Sequence, residues 1–177
     1  SIWHLYKLYY FDYNMLSAKK ETVTNTGSIV DETNYTWSDF SNSENIGDTF
    51  MTSKTTQTYL TPEDPNSKHL TELYYYTFNY PWQPYTDMKN KRLLNRMDTQ
   101  VWNTNIKMGE TKVEYDYFTI DNTQQILPKG TWKGYKDHDL EQDIIFDQYD
   151  SKGNLIEYHK KDGATSCLIW GYNQKYI

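Results

Sequence analysis

Catalysis and metal binding need side chains of suitable type within reach of one another, and this sequence offers few such sets. The four histidines are His4, His69, His138 and His159, and they fall in four different strand-and-turn units. None has the i, i+4 or two-residue spacing that brings imidazoles onto one metal ion. Asp137-His138-Asp139 is the one local cluster, and a polar turn accounts for it. The single cysteine, Cys167, excludes an intramolecular disulfide. It alternates with Thr165 and Ile169, which reads as a small buried strand residue rather than a nucleophile. No serine-nucleophile motif, dinucleotide fingerprint or phosphate loop occurs. Carboxylates that cleave glycosidic bonds are defined by their separation in space. Glu157 and Asp162, in one hairpin, read as exposed strand charges. The sequence therefore predicts no catalytic residue, no metal site and no cofactor.

The chemistry that remains belongs to aromatic rings, which make up 17% of the chain, 18 of them Tyr. Trp82, Tyr85, Trp102, Trp132, Tyr135, Trp170 and Tyr172 carry flat faces on which the C–H faces of sugars stack. Packing between strands rewards the same rings, and that reading is preferred for most of them. Trp82 stands between prolines in Pro81-Trp82-Gln83-Pro84, so Trp82 and Tyr85 are the ligand-binding candidates.

A chain of 177 residues fits one domain or an array of small repeats. A formal charge of −6, a mean hydropathy of −0.92 and no apolar run of membrane length argue against a membrane span. The acidic balance argues against nucleic acid, because no basic stripe is present to neutralise phosphates. Lys89, Lys91, Arg92 and Arg96 form the one basic cluster and read as a solvated face. Disordered segments are poor in aromatics, so low hydropathy here points to a thin sheet with half-wet faces of Tyr.

The elements that must position these residues are strands. Val113, Tyr115 and Tyr117 alternate with Lys112, Glu114 and Asp116, and Tyr74, Tyr76, Phe78 and Tyr80 form a second row of period two. Turn signals stand at Asn25-Thr26-Gly27, Pro62 to Asn66, Met108-Gly109, Lys136 to Asp139, Lys152-Gly153-Asn154 and Asp162-Gly163. Together they predict hairpins at about residues 7–38, 49–80, 94–118, 126–149 and 154–173. The exception is the segment 81–95, where two prolines break the sheet. Thr86 is the expected cap of a short helix there, with Asp87 in its first turn.

The last thirty residues carry the strongest pattern. Tyr149-Asp150 is followed by Gly153, Asn154 and Leu155, a hairpin turn at Asp162-Gly163, and then Trp170-Gly171-Tyr172-Asn173. This unit, over about residues 146–173, resembles the YD repeat of the Rhs-like proteins, a group of bacterial secreted and cell-surface β-proteins. Tyr9 to Leu16 and Glu114-Tyr115-Asp116-Tyr117 look like degenerate copies, and Pro84-Tyr85-Thr86-Asp87-Met88 is similar to a segment of large envelope proteins of this type. In some Rhs-like proteins an Asp-Pro motif works in self-cleavage. Asp64-Pro65 here lacks the following glycine-rich pattern and reads as a turn.

The residues predict an all-β fold, an antiparallel meander of successive hairpins, with at most one or two short helices near 85–95. The resemblance implies a twisted YD-repeat sheet whose structural motif residues are Tyr149, Asp150, Gly153, Asn154, Leu155, Gly163, Trp170, Gly171 and Tyr172. Residues 1–177 read as one hairpin-repeat region, a piece of a larger protein, with a sub-boundary at 81–95. The function expected is non-enzymatic: a structural or interaction module of the bacterial envelope or of a secreted protein. The alternatives are a carbohydrate-binding module and, behind it, a hydrolase. Expected partners are neighbouring repeats of the same protein, glycans, or a second copy joined through exposed sheet edges.

Overall fold

The structure is a computed structural model that describes residues 17–24, 27–41, 47–59, 68–136 and 138–171. His4, the Tyr9–Leu16 copy, Asp64-Pro65, Asp137, Tyr172 and Asn173 lie outside the described residues.

Among the described residues, ten strands form one antiparallel sheet whose spatial order is the order of the sequence. They are β1 (Ser17–Thr24), β2 (Gly27–Ser41), β3 (Gly47–Tyr59), β4 (Lys68–Tyr76) and β5 (Arg96–Asn103), followed by β6 (Ile106–Ile120), β7 (Thr123–Tyr135), β8 (Glu141–Tyr149), β9 (Leu155–Lys160) and β10 (Thr165–Cys167). The all-β meander expected from the alternation is therefore the fold, with one short helix, α1 (Tyr85–Asn90), and one 3-10 turn at Thr77–Asn79. No helix among the described residues is long and apolar enough to cross a membrane.

Turn chemistry explains where strands end. Asp121 and Asn122 both take positive φ, 46° and 59°, and join β6 to β7 as a two-residue turn of the kind that matches strand twist. The expected turn at Met108-Gly109 is displaced: both residues lie inside β6, and the chain reverses at Thr104-Asn105, with Thr104 at φ 53°. A backbone that can pair on both sides outweighs the local glycine signal, and Gly109 pairs with Val101 and with Tyr135. At Asp162-Gly163 the turn forms as expected, but Asp162 carries the positive φ of 59°. Gly163 donates its N–H to the Lys160 carbonyl at 2.8 Å.

The predicted row Tyr74, Tyr76, Phe78, Tyr80 is broken after Tyr76. Thr77 is fully buried and spends its backbone N–H and its hydroxyl on the Asn95 carbonyl, at 2.9 and 3.1 Å, which curls the chain into the 3-10 turn. Strands β4 and β5 nevertheless pair from Leu70↔Asn103 to Tyr76↔Arg96, so the segment 81–95 is an elaborate hairpin loop inside one sheet. The helix is capped two residues earlier than the expected Thr86. Its N-cap is Pro84, which offers no side-chain hydrogen bond, and Asp87 sits in its first turn as expected.

The described residues form a single sheet, and little of it is dry. The largest fully buried side chains among the described residues are Met88, Met97 and Thr77. Tyr85 and Met88, three apart on one face of α1, pack with Met97 of β5 and against Tyr80, Tyr115 and Ile126. The helix is thus the lid over a small core on β5, β6 and β7. Elsewhere the rows are joined by polar pairs across strands, such as Thr55–Thr71 at 3.1 Å and Thr58 donating to Asp31 at 2.7 Å.

Candidate functional site

The residues of the Tyr-Asp motif form a closed turn. Tyr149 ends β8, donates its hydroxyl to the Pro128 carbonyl at 2.5 Å and sets its ring edgewise on Phe118. Burial pushes its phenol well above the ordinary range. Asp150 accepts the backbone N–H groups of Lys152 and Asn154 at 2.8 and 2.9 Å and the Asn154 side-chain amide at 3.0 Å. Its own N–H donates to the Asn154 carbonyl at 2.8 Å. Desolvation acts to raise the Asp150 carboxyl, but the hydrogen bonds from Asn154 and Lys152 outweigh it and hold it low. Gly153 supplies a φ of 80°. Leu155 opens β9 and its carbonyl accepts the Trp170 indole N–H at 2.7 Å. Gly171 is the last described residue. Cys167, expected to be buried, is exposed, because β10 is a strand of three residues at the end of the described sheet.

The prolyl loop is built differently. Trp82 is 54% exposed, whereas Tyr85 is 4% exposed and belongs to the core under α1. The two rings stand 6.3 Å apart at 77°, and Trp82 meets Tyr80 at 80°. The expected two-ring platform is therefore one open ring, Trp82, because helical spacing puts Tyr85 beside Met88 and turns both to the sheet. Tyr85 serves instead as an anchor, its hydroxyl oxygen accepting the Tyr115 N–H at 3.4 Å.

The residues that follow Trp82 in the loop join a residue of β6 in a cluster of three polar side chains. Gln83 Nε2 donates to Asp87 Oδ1 at 3.0 Å, and Tyr117 of β6 brings its hydroxyl to 2.6 Å from Asp87 Oδ2 and 2.7 Å from Gln83 Oε1. The bond from Tyr117, then that from Gln83, holds the Asp87 carboxyl below its usual range, and Asp87 pushes the Tyr117 phenol up to about 12. The sequence placed Asp87 at a helix start and Tyr117 in a strand row. Nothing local connects residues thirty apart, so their meeting is a product of α1 docking on β6.

A second group also escaped the sequence. Asp98 and Glu110, on the paired strands β5 and β6, are only 6% and 8% exposed. Burial, and then the charge of Glu110, raises the Asp98 carboxyl to about 6. Asp98 Oδ1 has no hydrogen-bond partner, while Glu110 accepts Lys107 Nζ at 2.8 Å and Gln100 Nε2 at 3.4 Å. Both carboxylates fall on alternating strand positions, which on sequence alone look like solvent-facing charges.

The remaining candidates are distributed. His159 Nδ1 lies 2.7 Å from Asp147 Oδ2 across β8 and β9. An open hollow of about 490 Å³ over β5–β7 is lined mainly by Thr99, Val101, Met108, Thr111, Lys133 and Tyr135. Among the described residues, no group of three His, Cys, Asp or Glu is placed to hold a metal ion. In comparisons with known proteins, no family model, no curated protein and no solved structure matches this chain at a significant level.

Proposed function

We propose that this chain is a non-enzymatic structural and interaction module, a stretch of β-hairpin array that serves as scaffold or adhesive surface in the bacterial envelope or in a secreted protein. The observation that carries this reading is the strand order: ten strands pair strictly with their sequence neighbours in an open sheet. Such an array grows by adding hairpins and presents extended faces instead of a closed cleft. The resemblance of about residues 146–173 to the YD repeat supports the envelope or secreted setting. Among the described residues the sheet also ends in edges. The β10 edge runs Thr165-Ser166-Cys167 without a charge, and Ile169 just beyond it is 86% exposed. The partners of this reading are neighbouring hairpin repeats or a second copy added at that edge. Light scattering over a concentration series should show reversible association, and a Lys placed at Ser166 should suppress it. A broad hydrolase screen should show no turnover. Turnover abolished by Asp98→Asn or Glu110→Gln would overturn the reading in favour of an enzyme.

A further inference from the structure

We propose that Trp82, Gln83, Asp87 and Tyr117 form a binding site for a neutral ring sugar, with the indole of Trp82 stacking on the sugar's C–H face and the three polar groups taking its hydroxyls. The argument begins with a count of protons. Tyr117 has one hydroxyl proton and two acceptor oxygens within reach, Asp87 Oδ2 at 2.6 Å and Gln83 Oε1 at 2.7 Å. The charged oxygen of Asp87 is the stronger acceptor and takes it. Gln83 Oε1 then faces the Tyr117 oxygen with no hydrogen between them. Turning the Gln83 amide over relieves that contact and creates another, because its oxygen would then face Asp87 Oδ1 at 3.0 Å. In either orientation the three side chains are one donor short. The carboxyl does not supply the missing proton, since its partners hold it in the ionised form.

A ligand hydroxyl supplies that donor and accepts a bond in return. The charges nearby decide its class. Asp87 and the surplus of acceptors oppose an anion, while the positive charge of Lys91 opposes a cation. Lys91 already acts on Asp87 electrostatically. A neutral polyol fits both. The open indole of Trp82 selects a ring over an open chain, because it can cover an apolar C–H face. The site is also held in place before any ligand arrives: Tyr85 and Met88, buried beneath the loop, pin it to β5, β6 and β7.

This inference rests on the loop alone and is separate from edge association, which light scattering reads independently. The test is titration of the ¹⁵N-labelled chain with methyl glucoside, methyl galactoside, methyl N-acetylglucosaminide and cellobiose, with glycerol and choline as controls. The Trp82 indole N–H signal is the readout, assigned by its loss in Trp82→Ala. At least one sugar should shift that signal saturably in the millimolar range, and glycerol should not. Trp82→Ala should abolish binding in a chain that stays folded, with the amide spectrum outside the loop retained and only a modest drop in thermal midpoint from the lost contacts with Tyr80 and Tyr85. Asp87→Asn keeps the shape and supplies the missing proton internally, so it should weaken binding about tenfold. No saturable shift with any of the sugars, tighter binding of choline than of every sugar, or an Asp87→Asn variant of unchanged affinity would overturn the proposal.

Discussion

The turn at residues 149–155 and the loop at residues 81–87 both join or interrupt strands with polar residues, and they spend their polar atoms in opposite ways. In the turn each donor of the motif finds an acceptor inside the same hairpin or on the next strand: Lys152 and Asn154 on Asp150, Tyr149 on Pro128 and Trp170 on Leu155. In the loop the apolar side chains Tyr85 and Met88 do the holding from below, and the polar ones are left with a donor too few. A connection closed by its own hydrogen bonds has nothing left for a ligand. One anchored by packing can leave its polar groups and its Trp82 ring to solvent. The open ring and the under-supplied polar cluster therefore occur where a piece of helix makes a small core on the sheet.

The contrast is tested most severely by removing that core. Met88 is fully buried, so Met88→Ala should cost about 2–5 kcal/mol in urea denaturation. In hydrogen exchange the loss should open α1 and the ends of β5 and β6 before it reaches the turn at 149–155. Equal loosening of both regions would mean that the turn depends on the core after all.

The strands beneath the loop carry the next effect. Asp98 has its folded carboxyl raised to about 6 from an ordinary 3.8, so the folded state holds its proton more tightly than the unfolded chain. The associated stability is present below about pH 4 and is lost as pH rises towards and through 6, a change on the order of 2–3 kcal/mol. Depressed carboxyls such as Asp87 and Asp150 act in the other direction, so the difference between variants is the useful quantity. Asp98→Asn should be more stable than the parent at pH 7 and should lose that advantage near pH 4. A difference independent of pH would show that burial and Glu110 do not raise the Asp98 carboxyl.

The smallest effect belongs to the turn. Gly153→Ala must place a side chain at a φ of 80°, where its Cβ would sit 3.1 Å from Gln125 Oε1. The oxygen is the far end of a flexible chain and can move, so the backbone conformation sets a cost of about 1–2 kcal/mol. The exchange of amides should quicken at the β8–β9 turn and stay unchanged at α1.

Legibility in the sequence followed the range of the interactions. Alternation of Tyr and charged residues marked the strands, and Gly153, Asn154 and Asp162 marked turns, because both signals act within a few residues. The Met108-Gly109 turn was misplaced since a strand that pairs on both flanks can carry a glycine through its middle. Cys167 read as buried because alternation shows which residues share a face, and says nothing of whether anything covers that face.

What the sequence determined by itself is the meander: period-two patterning and turns with residues tolerant of positive φ need no information from distant parts of the chain. What only the tertiary structure decided is the chemistry. Tyr85 is a core anchor and Trp82 an open ring because α1 lies on the sheet with one face down. Tyr117 meets Asp87 and Gln83, and Asp98 meets Glu110, because docking and strand register bring together groups that the chain separates. Hydrogen bonding and desolvation act over a few ångströms of space, and sequence distance does not measure that.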